Sequence, residues 1–164
     1  TEYMLAALER HYDFVSGVLL PPPVGPLADA LAESGETRAA PLLAKHLNDP
    51  ANSAEDVAHA ARALVKLATK DEYEDLRTFF ALYRATADDE SLVAAVVASA
   101  EALLRIGGEA GRGVLERAAQ DPLTQGDVRR ALPNILAKSQ STQPAPAAEA
   151  PARGAQNGTK ASAR

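Results

Sequence analysis

Cysteine and tryptophan are both absent from this chain, and the aromatic residues amount to three Phe and four Tyr in 164 positions. Without cysteine there is no disulfide, no thiolate nucleophile and no Cys-ligated zinc site, and the redox compartment stays open. With so few aromatics a core must be built from Ala, Leu and Val. Such small side chains let helices approach closely, which suits helix-on-helix layers. No apolar run approaches the ~20 residues of a membrane span, and nothing resembles a signal peptide. Residue 1 is Thr rather than Met. That reads as a fragment or a processed chain, which leaves room for a lost targeting segment. A cytoplasmic location is the default, and no residue fixes the compartment.

Positive charge is also scarce where most of the chain lies. Residues 1–138 hold 14 Lys or Arg against 21 Asp or Glu, a net of −7, while residues 139–164 carry +2 and the whole chain −5. An acidic body argues against a surface that wraps nucleic acid, which requires a basic stripe.

What is present is a phrase that returns. Ala63-Leu64-Val65-Lys66-Leu67 reappears as Ala102-Leu103-Leu104-Arg105-Ile106, and more weakly as Ala131-Leu132-Pro133-Asn134-Ile135. The offsets are 39 and 29 residues, 34 on average, and recurrence at that spacing marks stacked repeats. The first copy lies in Ser53–Lys70, where Ser53 is the expected N-cap with Asp56 three residues on. The apolar stripe there is Val57, Ala60, Ala61, Leu64, Leu67 and Ala68. Glu55, His59, Arg62 and Lys66 face out.

Helical periodicity organises the rest. A first helix is expected from Thr1 to about Leu20, stopped by Pro21-Pro22-Pro23. A short helix should span Leu27 to Glu33 and close at Ser34-Gly35. The next runs Glu36–Leu47, its start shifted or bent by Pro41, before the turn Asn48-Asp49-Pro50. Asp71 opens a helix lined by Leu76, Phe79, Phe80 and Tyr83, followed by a turn and cap at Asp88-Asp89-Glu90. Ser91–Ile106 is apolar nearly all round and is therefore expected at the centre, ended by Gly107-Gly108. A shorter pair, Glu109–Gln120 and Gly126–Lys138, completes the body, with Pro133 expected to kink its last helix or delay its start. Leu64, Leu67, Val96, Leu103 and Leu104 are the expected core. From Ser139 onward large apolar residues almost vanish, so 139–164 is expected to be a disordered Ala/Pro-rich tail. The domain reading is 1–23 N-terminal helix and proline hinge, 24–138 helical repeats in about three pairs, and 139–164 tail.

These features resemble HEAT repeats: an A helix, a turn often holding Asp-Pro, then a B helix with small residues and a Leu before Gly. Leu42-Leu43 to Asp49-Pro50 and Leu115 to Asp121-Pro122 match the A helix and turn. Ala63-Leu64 with Leu67, and Ala102-Leu103 with Ile106-Gly107, match the B helix. The Val-Arg opening of a B helix is clear only at Val128-Arg129, and the turn at Asp88-Asp89 lacks its Pro. The resemblance implies an all-α, short right-handed α-solenoid that acts as a non-catalytic protein-binding module or scaffold. The alternative it implies is a helical accessory domain or subunit of an enzyme of the HEAT-like lyase kind. A weaker one, taken from the cationic columns described below and opposed by the acidic body, is binding of nucleic-acid backbone.

Little in the chain offers catalysis, and no cofactor or metal is expected. His11, His46 and His59 lack metal-ligand spacing; His46 is expected on the surface at a helix C-terminus, and His59 as a solvated residue beside Asp56 and Arg62. The acidic clusters Asp71/Glu72/Glu74/Asp75 and Asp88/Asp89/Glu90 sit at helix starts, where carboxylates cap. The glycines between Gly107 and Gly113 lack a P-loop's preceding strand and its Lys-Ser/Thr, and read as an inter-repeat loop. One surface remains. Aligning the B helices places Arg62, Glu101 and Arg130 in one column and Lys66, Arg105 and Asn134 in the next. Arg62, Lys66, Arg105, His59 and Arg130 are thus the candidate partner-binding residues, facing another protein through an acidic segment of it, without membrane insertion.

Overall fold

The computed structural model describes residues 1–9 and 23–141. The expected tail beyond Ser141, and most of the first helix and proline hinge, lie outside the described residues. Within them the protein is all-helical, with seven helices and no strand. They are α1 (Glu2–Glu9), α2 (Val24–Ser34), α3 (Ala40–Leu47), α4 (Ala54–Leu67), α5 (Tyr73–Tyr83), α6 (Glu90–Gln120) and α7 (Gly126–Ser141).

The boundaries follow local chemistry. Helix α2 starts three residues earlier than periodicity suggests and ends at Gly35, whose φ of 68° is the left-handed conformation a helix C-cap requires. Pro41 occupies the first turn of α3, and the three residues before that helix, Thr37–Ala39, form a single 3-10 turn. Ser53 Oγ accepts the Asp56 N–H at 3.1 Å and donates to the Asp56 carboxylate at 3.0 Å. Helix α4 stops at Leu67, short of Lys70, because Thr69 starts a new capping box. The Thr69 N–H and hydroxyl both donate to Glu72 Oε2, at 2.8 and 2.9 Å. Asp89 caps α6 by accepting the Leu92 N–H at 2.8 Å. Helix α7 begins at Gly126 and runs through Pro133 to Ser141. Proline therefore does not delay its start, and the first three residues of the expected tail are helical.

The first helix ends at Gly107-Gly108 as expected, but the expected inter-repeat loop shrinks to that break, and residues 109–113 are already helical. Two helices within Glu90–Gln120 are joined directly at Gly108, whose φ of 52° and ψ of −125° are non-helical. That break divides α6 into two arms. A Cβ on Gly111 would lie 2.2 Å from the Leu103 carbonyl oxygen, and one on Gly107 would lie 2.4 Å from the Tyr73 ring. These glycines let neighbouring groups approach the backbone closely rather than cradle an anion.

Packing places α4 and α6 in the middle. Helix α4 packs against α2, α3 and α6; α6 packs against α4, α5 and α7. By length and composition α6 would also qualify to cross a membrane. Its Ala, Val and Leu side chains reach that mark despite the break at Gly108, which a search for one unbroken apolar run misses. In this fold Ala95, Val96, Ala98, Ala100, Ala102 and Leu103 are buried in the shared core. Leu64, Leu67, Val96 and Leu103 are buried as expected. Leu104 is only half-buried, because it lines an open cleft between α6 and α7.

Histidine 46 differs most from expectation. It is 3% exposed, its Nε2–H donates to the Leu8 carbonyl at 3.0 Å, and Asn52 Nδ2 donates to its backbone carbonyl at 2.8 Å. Helix α1 covers it, so a helix-end residue became core. His46→Ala leaves the buried Leu8 carbonyl without this donor and should cost about 1–3 kcal/mol. Hydrogen exchange in α1 should accelerate more than in α4. Equal exchange in both helices would mean that His46 does not hold α1.

Candidate functional site

The three returning phrases agree in exposure at their second and fourth positions. Leu64, Leu103 and Leu132 are fully buried. Two residues later, Lys66, Arg105 and Asn134 are exposed. Each phrase thus turns the same edge inward and the same edge outward. The helices that carry them pack side by side, α4 against α6 and α6 against α7, and α2 extends the row on the far side of α4.

The candidate cations on this row have different surroundings. Arg62 and Lys66 are exposed and border a shallow cleft between α2 and α4 with Asp29 and Glu33. Neither makes an ion pair or side-chain hydrogen bond among the described residues. His59 is not solvated as expected: its side chain is 24% exposed, and Nδ1 lies 2.9 Å from the Asp29 carboxylate. Its ring also packs against Gly25, whose N–H donates to Asp56 Oδ1 at 3.0 Å. His59 and Asp56 therefore tie α4 to α2. Arg130 pairs with Asp127 on its own helix. Arg105 reaches across to α4, where Nη2 donates to the carbonyls of Ala68 at 2.6 Å and Leu64 at 3.3 Å. It satisfies carbonyls that a helix end leaves open.

No family model, curated protein or solved structure matches the chain.

The site is therefore read from its geometry alone. Between the first arm of α6 and α7 lies a cleft of about 370 Å³ lined by Glu101, Leu104, Arg105, Ile135, Lys138 and Ser139. It opens on the same row, and of its lining only Arg105 is a candidate binding residue on sequence grounds. Leu104 carries a weaker signal: it occupies the place of Val65, and both are half-buried.

Charge elsewhere serves the fold. Arg84 donates to Thr124 Oγ1 at 2.7 Å and pairs with Asp121 at 2.7 Å, fastening α5 to the α6–α7 turn. The Leu123 N–H and then the Arg84 guanidinium hold the Asp121 carboxyl below its usual range. Glu36 is lowered to about 2, chiefly by the hydrogen bond from Arg38. Among the described residues no group of three or more His, Asp or Glu side chains is placed to hold a metal ion.

Proposed function

We propose that the protein is a short right-handed α-solenoid of HEAT-like helix pairs, working as a non-catalytic protein-binding module or scaffold. Its partner lies along the row α2–α4–α6–α7 and presents an acidic segment to it. The observation that carries this reading is the shared inward and outward pattern of Leu64/Lys66, Leu103/Arg105 and Leu132/Asn134. A repeat needs its inner edge to stack on its neighbours. It does not need the long cations that two of the three outer edges carry, Lys66 and Arg105, and the body that carries them is otherwise acidic.

The contributions are unequal. Arg62 and Lys66 are exposed and meet a partner directly. Arg105 contributes from a fixed position, with Nη2 engaged, so it offers one charge-assisted hydrogen bond rather than a two-point fork. His59 and Arg130 act through the fold.

The test is Arg62→Glu with Lys66→Glu, after the partner has been captured by crosslinking and identified by mass spectrometry. Both positions are exposed, so helicity and Tm should be unchanged. Each exposed pair contributes about 0–1 kcal/mol. The double reversal should therefore weaken binding by roughly tenfold. Unchanged affinity would move the interface to the side formed by α1, α3 and α5. Arg105→Glu is the poorer probe, because it places a carboxylate against the Leu64 and Ala68 carbonyls.

A further inference from the structure

The cleft between α6 and α7 has a floor and a rim of different chemistry. Leu104, half-buried, and Ile135, 7% exposed, form an aliphatic floor. Arg105, Lys138 and Glu101 form the charged rim. Its volume of about 370 Å³ falls at the lower end of the ~300–1,000 Å³ of ligand pockets. A single aliphatic side chain with its flanking backbone suits that space better than a cofactor.

Arg105 gives the cleft its preference. Its Nη2 is anchored on two neutral carbonyls, Leu64 and Ala68, so the guanidinium is positioned without being neutralised by a carboxylate. The α4 C-terminus opposes it with only about half a unit of negative charge. Nε and Nη1 have no acceptor among the described residues. A cation already held in place loses little rotamer freedom when an anion arrives. Glu101 stands one helical turn earlier on α6 and repels a second acid there. The rim therefore has a polarity: it accepts a carboxylate at Arg105 and disfavours one at Glu101.

We infer that this cleft docks a short segment of another protein, with one Val- or Leu-sized side chain on Leu104 and Ile135 and a carboxylate beside it at Arg105. The inference rests on the reading of the row as the docking face, and it names the chemistry of what docks. A neutral or basic residue is accommodated on the Glu101 side.

The probe is a displayed library of random 12-residue peptides, selected against the whole chain, with enriched sequences synthesised and titrated by fluorescence anisotropy. Enriched peptides should carry an aliphatic residue with Asp or Glu on one side of it only. Leu104→Arg should weaken them at least tenfold. Glu101→Lys changes an exposed position without touching the core; it should tighten acidic peptides several-fold and admit peptides with acids on both sides. Peptides weakened by the Arg62/Lys66 reversal but indifferent to Leu104→Arg and Glu101→Lys would overturn the cleft and leave the docking face standing. No enrichment, or binding indifferent to all these changes, would overturn both. Self-association of the chain that Leu104→Arg abolishes would make a second copy the occupant. Peptide binding that appears only once residues 142–164 are removed would make the chain's own end the occupant. Either result overturns the proposal.

Discussion

Leu103→Ala is expected to lower the unfolding free energy by about 2–5 kcal/mol, the range for emptying a fully buried leucine site. Leu103 has no exposed surface and sits on the first arm of α6, the helix that α4, α5 and α7 all pack against. The core it belongs to is rich in alanine, Ala60, Ala61, Ala100 and Ala102 among them. Alanines have no rotamers with which to fill a cavity, so relaxation should recover little, and the loss should fall toward the upper part of the range. If the helices stack as repeats, each shares its interface with both neighbours and the loss spreads along the row. Hydrogen exchange should then accelerate in α4 and in α7 alike. Leu104→Ala is the paired measurement. That side chain is only half-buried, so it should cost about half as much or less. Denaturant titrations in which Leu103→Ala loses under ~1 kcal/mol, or in which the two leucines cost the same, would contradict the equivalence of Leu64 and Leu103.

Gly111→Ala is expected to destabilise the protein, although helix propensity predicts the reverse. In an exposed helix interior alanine is favoured over glycine by about 1 kcal/mol. Here the added methyl carbon would lie 2.2 Å from the Leu103 carbonyl oxygen and 2.9 Å from its carbon. Those atoms are backbone, in the first arm of the same helix, and cannot rotate away as a side-chain tip can. The arms must separate, and a loss of about 1–3 kcal/mol or more is expected, as for overpacked cores. Gly113→Ala is the control. Two residues further along, its Cβ would meet only the Arg117 guanidinium at 3.3 Å, the end of a flexible side chain. That substitution should be neutral, or stabilising by up to about 1 kcal/mol. Thermal melts decide the matter by sign: stabilisation at both glycines would show that the two arms of α6 do not meet closely at Gly111.

Features that depend on residues within about one turn of each other are legible in the chain alone. Ser53, Asp89 and Gly35 act as helix caps because the groups they serve lie three or four positions away. Pro41 moves the start of α3 for the same reason. The buried edges of α4 and α6 follow from periodicity, since one helix face must turn to the core whatever covers it. The candidate cations are legible only as outward positions. Which of them remain available is decided by contacts between residues far apart in the chain. His59 meets Asp29 across 30 residues, His46 meets Leu8 across 38, and Arg105 reaches Ala68 and Leu64 across 37 and 41. Gly111 reads locally as loop and proves to be a contact point, because its environment is the carbonyl of Leu103 on the other side of a backbone reversal at Gly108. The cleft at Leu104 likewise exists only when α7 lies beside α6. Local rules fix where a helix begins, ends and turns its apolar edge. The partner opposite each polar side chain is set by how the helices pack, and that packing depends on the apolar surfaces of all of them together.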